Sequence, residues 1–116
     1  MRRFFSLWVP VIIYAGIIFY LSSLSAKELP RVWISDKIVH LIEFSILGFL
    51  IIRAIDQVRM ISLGKTLLFS TIIVLLYGFT DEIHQIFVST REFSLFDLLF
   101  DGIGGLLGSL TYRWIK

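Results

Sequence analysis

The chain has 116 residues, 57% of them apolar and 17% charged, against about 45–50% and about 25% in soluble domains. That length holds one domain at most, and a water-soluble domain so small buries only about two-thirds of its unfolded surface, too little to hide this many Leu, Ile and Phe. The lack of cysteine excludes disulfides, thiolate metal sites and cysteine nucleophiles, and a net charge of +2 without a basic stripe excludes nucleic acid as a partner.

In chain order, four apolar segments predict four membrane-spanning helices, an all-α polytopic bundle in a single domain over 1–116. A hydrocarbon core of about 30 Å takes about 20 helical residues. The first span covers Leu7 to Leu24. Arg2 and Arg3 precede it and small residues follow it, as in a cleaved signal peptide, but its apolar run exceeds the usual h-region of about 7–15 residues. It is therefore read as a retained span, in which Pro10 is tolerated. The second and third spans have short apolar centres, Ile38 to Ile52 and Thr66 to Thr80, and reach spanning length only as Asp36 to Arg53 and Lys65 to Gln85. That extension draws their polar ends into the membrane or its interface. The fourth span runs from Leu95 to Trp114. Closed barrels need strict alternation of apolar and polar residues, which these runs lack.

Arg2, Arg3, Arg53, Arg59, Lys65, Arg113 and Lys116 fall on one side of such a chain, and Lys27, Arg31, Lys37 and Arg91 on the other. The positive-inside rule then makes both termini cytoplasmic. Trp8, Trp33, Tyr112 and Trp114 lie near span ends, where interfacial aromatics belong.

The acids and histidines gather at the opposite, outer face. Asp36, His40 and Glu43 begin the second span, Asp81, Glu82, His84 and Gln85 end the third, and Asp97 and Asp101 open the fourth. Helical spacing places Asp36, His40 and Glu43 on one stripe, Asp81, His84 and Gln85 on another, and Asp97 with Asp101 on a third. An ionisable side chain in hydrocarbon costs about 2.5–3.5 kcal/mol on insertion scales, so these groups must meet one another or water. A polar vestibule follows, with Arg91 in the third loop as a counter-cation. Each residue also has a plain structural reading: Asp36 as a helix cap, Asp97 as a dipole partner, Asp81 as interhelical glue. Gly104 and Gly108 form a small-xxx-small pair for close helix packing, and Gly48 and Gly78 are expected to serve likewise where the second and third spans touch.

His40, Glu43, Asp81, His84, Asp97 and Asp101 are of metal-ligand type, yet none of the dense pairings of a zinc site occurs; whether a metal binds stays open and no cofactor is expected. Acid–base chemistry is the enzymatic alternative, with Asp81 or Glu82 near His40 accepting a proton. Ser89, Thr90 and Ser94 read as turn residues rather than nucleophiles. Proton transfer across the membrane lacks a matching polar relay in the cytoplasmic halves of the spans.

From about Asp36 to Gly108 the sequence resembles the VanZ-like family of small bacterial membrane proteins. The elements that carry the resemblance are Asp36-Lys37, His40, Phe44 and Leu47-Gly48; then Tyr77-Gly78, Asp81-Glu82, Gln85, Phe87 and Arg91; then Ser94, Asp97, Gly104 and Gly108. The first span, ending Ile18-Phe19-Tyr20-Leu21-Ser22-Ser23, is similar to the family's usual opening. The resemblance implies a polytopic envelope protein whose namesake lowers susceptibility to the glycopeptide antibiotic teicoplanin. One departure stands out: Asp101 occupies a place where the family commonly has Asn, which adds a negative charge and alters the hydrogen-bond count there.

The leading expectation is an outward-facing site that binds or modifies an envelope component, a lipid-linked cell-wall precursor or the glycopeptide itself. His40, Asp81, Glu82, Asp97 and Asp101 are its reactive residues, and Asp36, Glu43, His84, Gln85 and Arg91 its binding residues. Membrane lipids surround it. Two alternatives stand beside it: a non-catalytic scaffold whose glycine face docks a membrane-protein partner or a second copy, and a small enzyme acting on a lipid-linked substrate.

Overall fold

The structure, a computed structural model, describes residues 2–23, 36–58, 62–88 and 95–115. Within them the chain forms four helices and no strand: α1 (Arg2–Ser22), α2 (Asp36–Val58), α3 (Leu63–Ile86) and α4 (Leu95–Ile115). Trp33 and Arg91, and the loop hydroxyls Ser89, Thr90 and Ser94, lie outside the described residues, as do the side chains of Asp36 and Lys37.

The helices extend beyond the apolar segments for local reasons. α1 begins five residues before the predicted start, carrying Arg3 to within 3.4 Å of the Gln57 amide on α2. α2 continues through Asp56, which accepts from the Tyr112 hydroxyl and the Arg113 guanidinium of α4, both at 3.3 Å. α3 starts at a capping serine: Ser62, in extended backbone geometry, accepts from the Lys65 amide at 3.3 Å.

α1, α2 and α3 are long and apolar enough to cross a membrane. α4 is 21 residues long, and Asp97, Asp101 and four glycines interrupt its hydrocarbon run. Apolar side chains cover the outside of all four helices: Ile12 is 68% exposed, Leu76 63% and Leu99 55%. The interior mixes Leu7, Val11, Phe44, Leu47, Ile51 and Val74 with fully buried Thr66, Ser70, Glu82, Asp101 and Ser109. Oil outside and polar groups inside is the reverse of a soluble core, and it is the arrangement a lipid solvent favours.

The α2–α4 pair is the most extensive packing in the bundle, and glycine makes it so. A Cβ placed on Gly108 would sit 1.8 Å from the Ser45 carbonyl oxygen, one on Gly104 2.5 Å from that of Leu41, and one on Gly48 2.3 Å from that of Gly105. The two backbones touch along this seam. Gly104 and Gly108 thus face α2. Gly48 and Gly78, expected where the second and third spans meet, both face α4 instead, Gly78 against Asp101 and Leu98. α4 is wedged against both neighbours, and each close glycine approach among the described residues involves it.

Candidate functional site

α1 and α3 end where α2 and α4 begin, so the polar groups predicted to share one face do share one end of the bundle. His40 lies four residues into α2 and Asp101 six into α4, while Asp81 and Glu82 lie five and four before the end of α3. At about 1.5 Å of rise per residue these groups sit roughly 6–9 Å inside the helix ends. They are inside the bundle rather than on its rim. Glu82 and Asp101 are fully buried, and His40, Asp81, Gln85 and Asp97 nearly so.

The centre of the group is the pair formed by His40 and Asp101, with Nδ1 and Oδ1 2.7 Å apart. With Asp101 ionised, the imidazole carries its proton on Nδ1 and donates it to the carboxylate, which leaves Nε2 as the acceptor. Nε2 faces the Asp97 carboxylate at 3.9 Å. The Phe44 ring, one helical turn along α2, lies parallel to the imidazole with ring centroids 6.2 Å apart. From α3, Asp81 and Glu82 complete the cluster: one ligand-type atom from each of His40, Asp81, Glu82 and Asp101 falls within 4.8 Å of the others.

Not every predicted residue joins it. His84 turns toward α1, its Nε2 2.8 Å from the Ser23 hydroxyl and its ring stacked on Phe19 at 4.2 Å. Glu82, left out of the expected α3 stripe, takes the inward place. The reason is rotation: at about 100° per residue, Val74, Gly78, Asp81, Glu82 and Gln85 span one face, and His84 falls beyond its edge. α3 is turned so that Val74 and Gly78 meet α4. Glu43 is half-buried beside Tyr14 and Tyr77, and the Tyr77 hydroxyl donates to the Ala15 carbonyl of α1.

The half of the bundle away from the cluster also carries buried polar groups. Ser70 and Ser109 hydroxyls meet at 2.8 Å and both reach the Gly48 carbonyl at 3.4 Å, and Asp56 is buried beyond them. Small hydroxyls in apolar helices give no periodic signal, so sequence alone does not mark this layer. It stays separate from the cluster: Ser109 is eight residues, about 12 Å, along α4 from Asp101.

A helical bundle with a lipid-compatible exterior and a buried His–carboxylate cluster at one end defines a membrane protein with an internal polar site. Residues 4–116 match the family model described as VanZ/LLP1, and the chain belongs to that family. No curated protein and no solved structure matches it.

Proposed function

We propose that this VanZ-family protein is a four-span protein of the bacterial inner membrane, both termini cytoplasmic, whose polar cluster opens outward and binds or modifies an envelope component. The ligand classes are a lipid-linked cell-wall precursor and a glycopeptide such as teicoplanin. The observation behind this reading is the buried His40–Asp101 pair with Asp81 and Glu82 around it. A helix bundle held only by packing has no need of four ionisable groups at one level, each costly to desolvate.

In this reading His40 relays a proton between Asp101 and the ligand, Asp81 and Glu82 accept protons or coordinate, and Asp97 biases Nε2. Arg91, outside the described residues, anchors a phosphate or carboxylate of the ligand. The small-enzyme alternative uses these same groups and differs only in turnover. For a scaffold, the glycine seam is already filled by α2, so a partner subunit would dock on another face.

The test is incubation of the purified chain with extracted envelope lipids, followed by mass spectrometry for bound or altered species. The chain should retain or convert one lipid-linked species, Arg91→Ala and Asp81→Asn should lose it, and membrane insertion of both variants should be unchanged. Species identical with and without the folded protein, and equal teicoplanin susceptibility of cells carrying wild type and variants, would reject the reading.

A further inference from the structure

We infer that His40, Asp81, Glu82 and Asp101 form a binding site for a divalent transition-metal cation of the Mn²⁺ or Zn²⁺ type. The inference rests on the reading of this pocket as a ligand site and specifies what the pocket holds.

Three helices supply the four donors: α2 gives the imidazole, α3 two carboxylates and α4 the third. Donors about 2.0–2.2 Å from a common ion lie at most about 4.4 Å apart. The observed limit of 4.8 Å is a few tenths of an ångström wider, within the reach of a small side-chain rotation. A second observation points to a ligand independently. Asp101 is fully buried, its Oδ1 holds the His40 ring, and its Oδ2 has no hydrogen-bond partner among the described residues. That oxygen lies only 3.0 Å from where a Cβ on Gly78 would stand, on the face of α3 that carries Asp81 and Glu82. A buried carboxylate oxygen requires a donor or a cation.

The donor set selects the ion: an imidazole favours transition metals, the carboxylates favour harder ions, and a mixed set suits Mn²⁺ or Zn²⁺ rather than Cu⁺.

The test uses the full chain in detergent, stripped with chelator and titrated with Mn²⁺ under electron paramagnetic resonance. One saturable site per chain is expected, with Mn²⁺ displaced by Zn²⁺ and spin-echo modulation from one directly bound imidazole nitrogen. His40→Gln and Glu82→Gln should each weaken binding at least about tenfold, whereas Asp56→Asn, the same charge change at the other end, should not. No saturable site in the folded chain, or bound Mn²⁺ without imidazole modulation, overturns the inference; the second readout needs no variant to fold. Arg91→Ala separates the two readings, since it should abolish capture of the envelope species and leave Mn²⁺ binding intact. Capture of that species by chelator-stripped protein that takes up no Mn²⁺ would reject the metal and keep the ligand site.

Discussion

The His40–Asp101 pair is a balance between a costly burial and a short hydrogen bond, and its two halves respond differently to substitution. Removing the imidazole strands a fully buried carboxylate, and breaking a buried pair from one side costs about 3–5 kcal/mol. Asp101→Asn keeps an oxygen that accepts from Nδ1 and removes a charge beside Asp81 and Asp97. His40→Ala should therefore destabilise the chain by about 3–5 kcal/mol and Asp101→Asn by less than about 1.5 kcal/mol, measured by denaturant unfolding in micelles followed by circular dichroism. Equal costs would mean that the pair does not hold its elements together. Sequence spacing identified both residues as members of one site, but not as partners, because the distance between positions 40 and 101 depends on how α4 seats on α2.

That seating is an element-scale matter, set by glycine. Gly108→Ala drives a Cβ into the Ser45 carbonyl at 1.8 Å and Gly48→Ala drives one into that of Gly105 at 2.3 Å, and neither backbone oxygen can swing away as a side chain can. Each should cost about 1–3 kcal/mol, the usual price of overpacking. Gly16→Ala on α1 meets nothing within 4 Å and should be neutral or stabilise by about 0.5–1 kcal/mol, the ordinary gain in a helix interior. Thermal unfolding of the three variants in one detergent provides the comparison, and a Gly108→Ala variant as stable as Gly16→Ala would contradict the observed seam. The number, type and order of the helices were legible from hydropathy alone, since each apolar run has only one way to satisfy its backbone in lipid. The start of α1 and the end of α2 were not, because these helices are extended by Arg3, Asp56 and Gln57, polar residues whose partners lie on other helices. Nor was the rotation of α3: Glu82 and His84 are equally polar, and only packing of Val74 and Gly78 against α4 decides which one faces inward.

At the scale of the whole molecule, one end holds the His40 cluster and the other the described Arg and Lys side chains. In the proposed orientation, which follows the positive-inside rule, the cationic end faces the cytoplasm and the cluster lies beneath the outer leaflet. Without native cysteine, the chain permits a direct test, because any single cysteine introduced is the only thiol. Phe87 ends α3 at the cluster end and is 83% exposed, whereas Gly64 opens α3 at the other end with nothing near its missing side chain. Neither lies in the polar cluster, so Phe87→Cys and Gly64→Cys should leave the fold intact. A membrane-impermeant maleimide should label Phe87→Cys in intact spheroplasts and Gly64→Cys only after permeabilisation. The converse pattern would turn the pocket toward the cytoplasm, out of reach of periplasmic precursors and glycopeptides, and would leave the metal site standing while removing the envelope ligand.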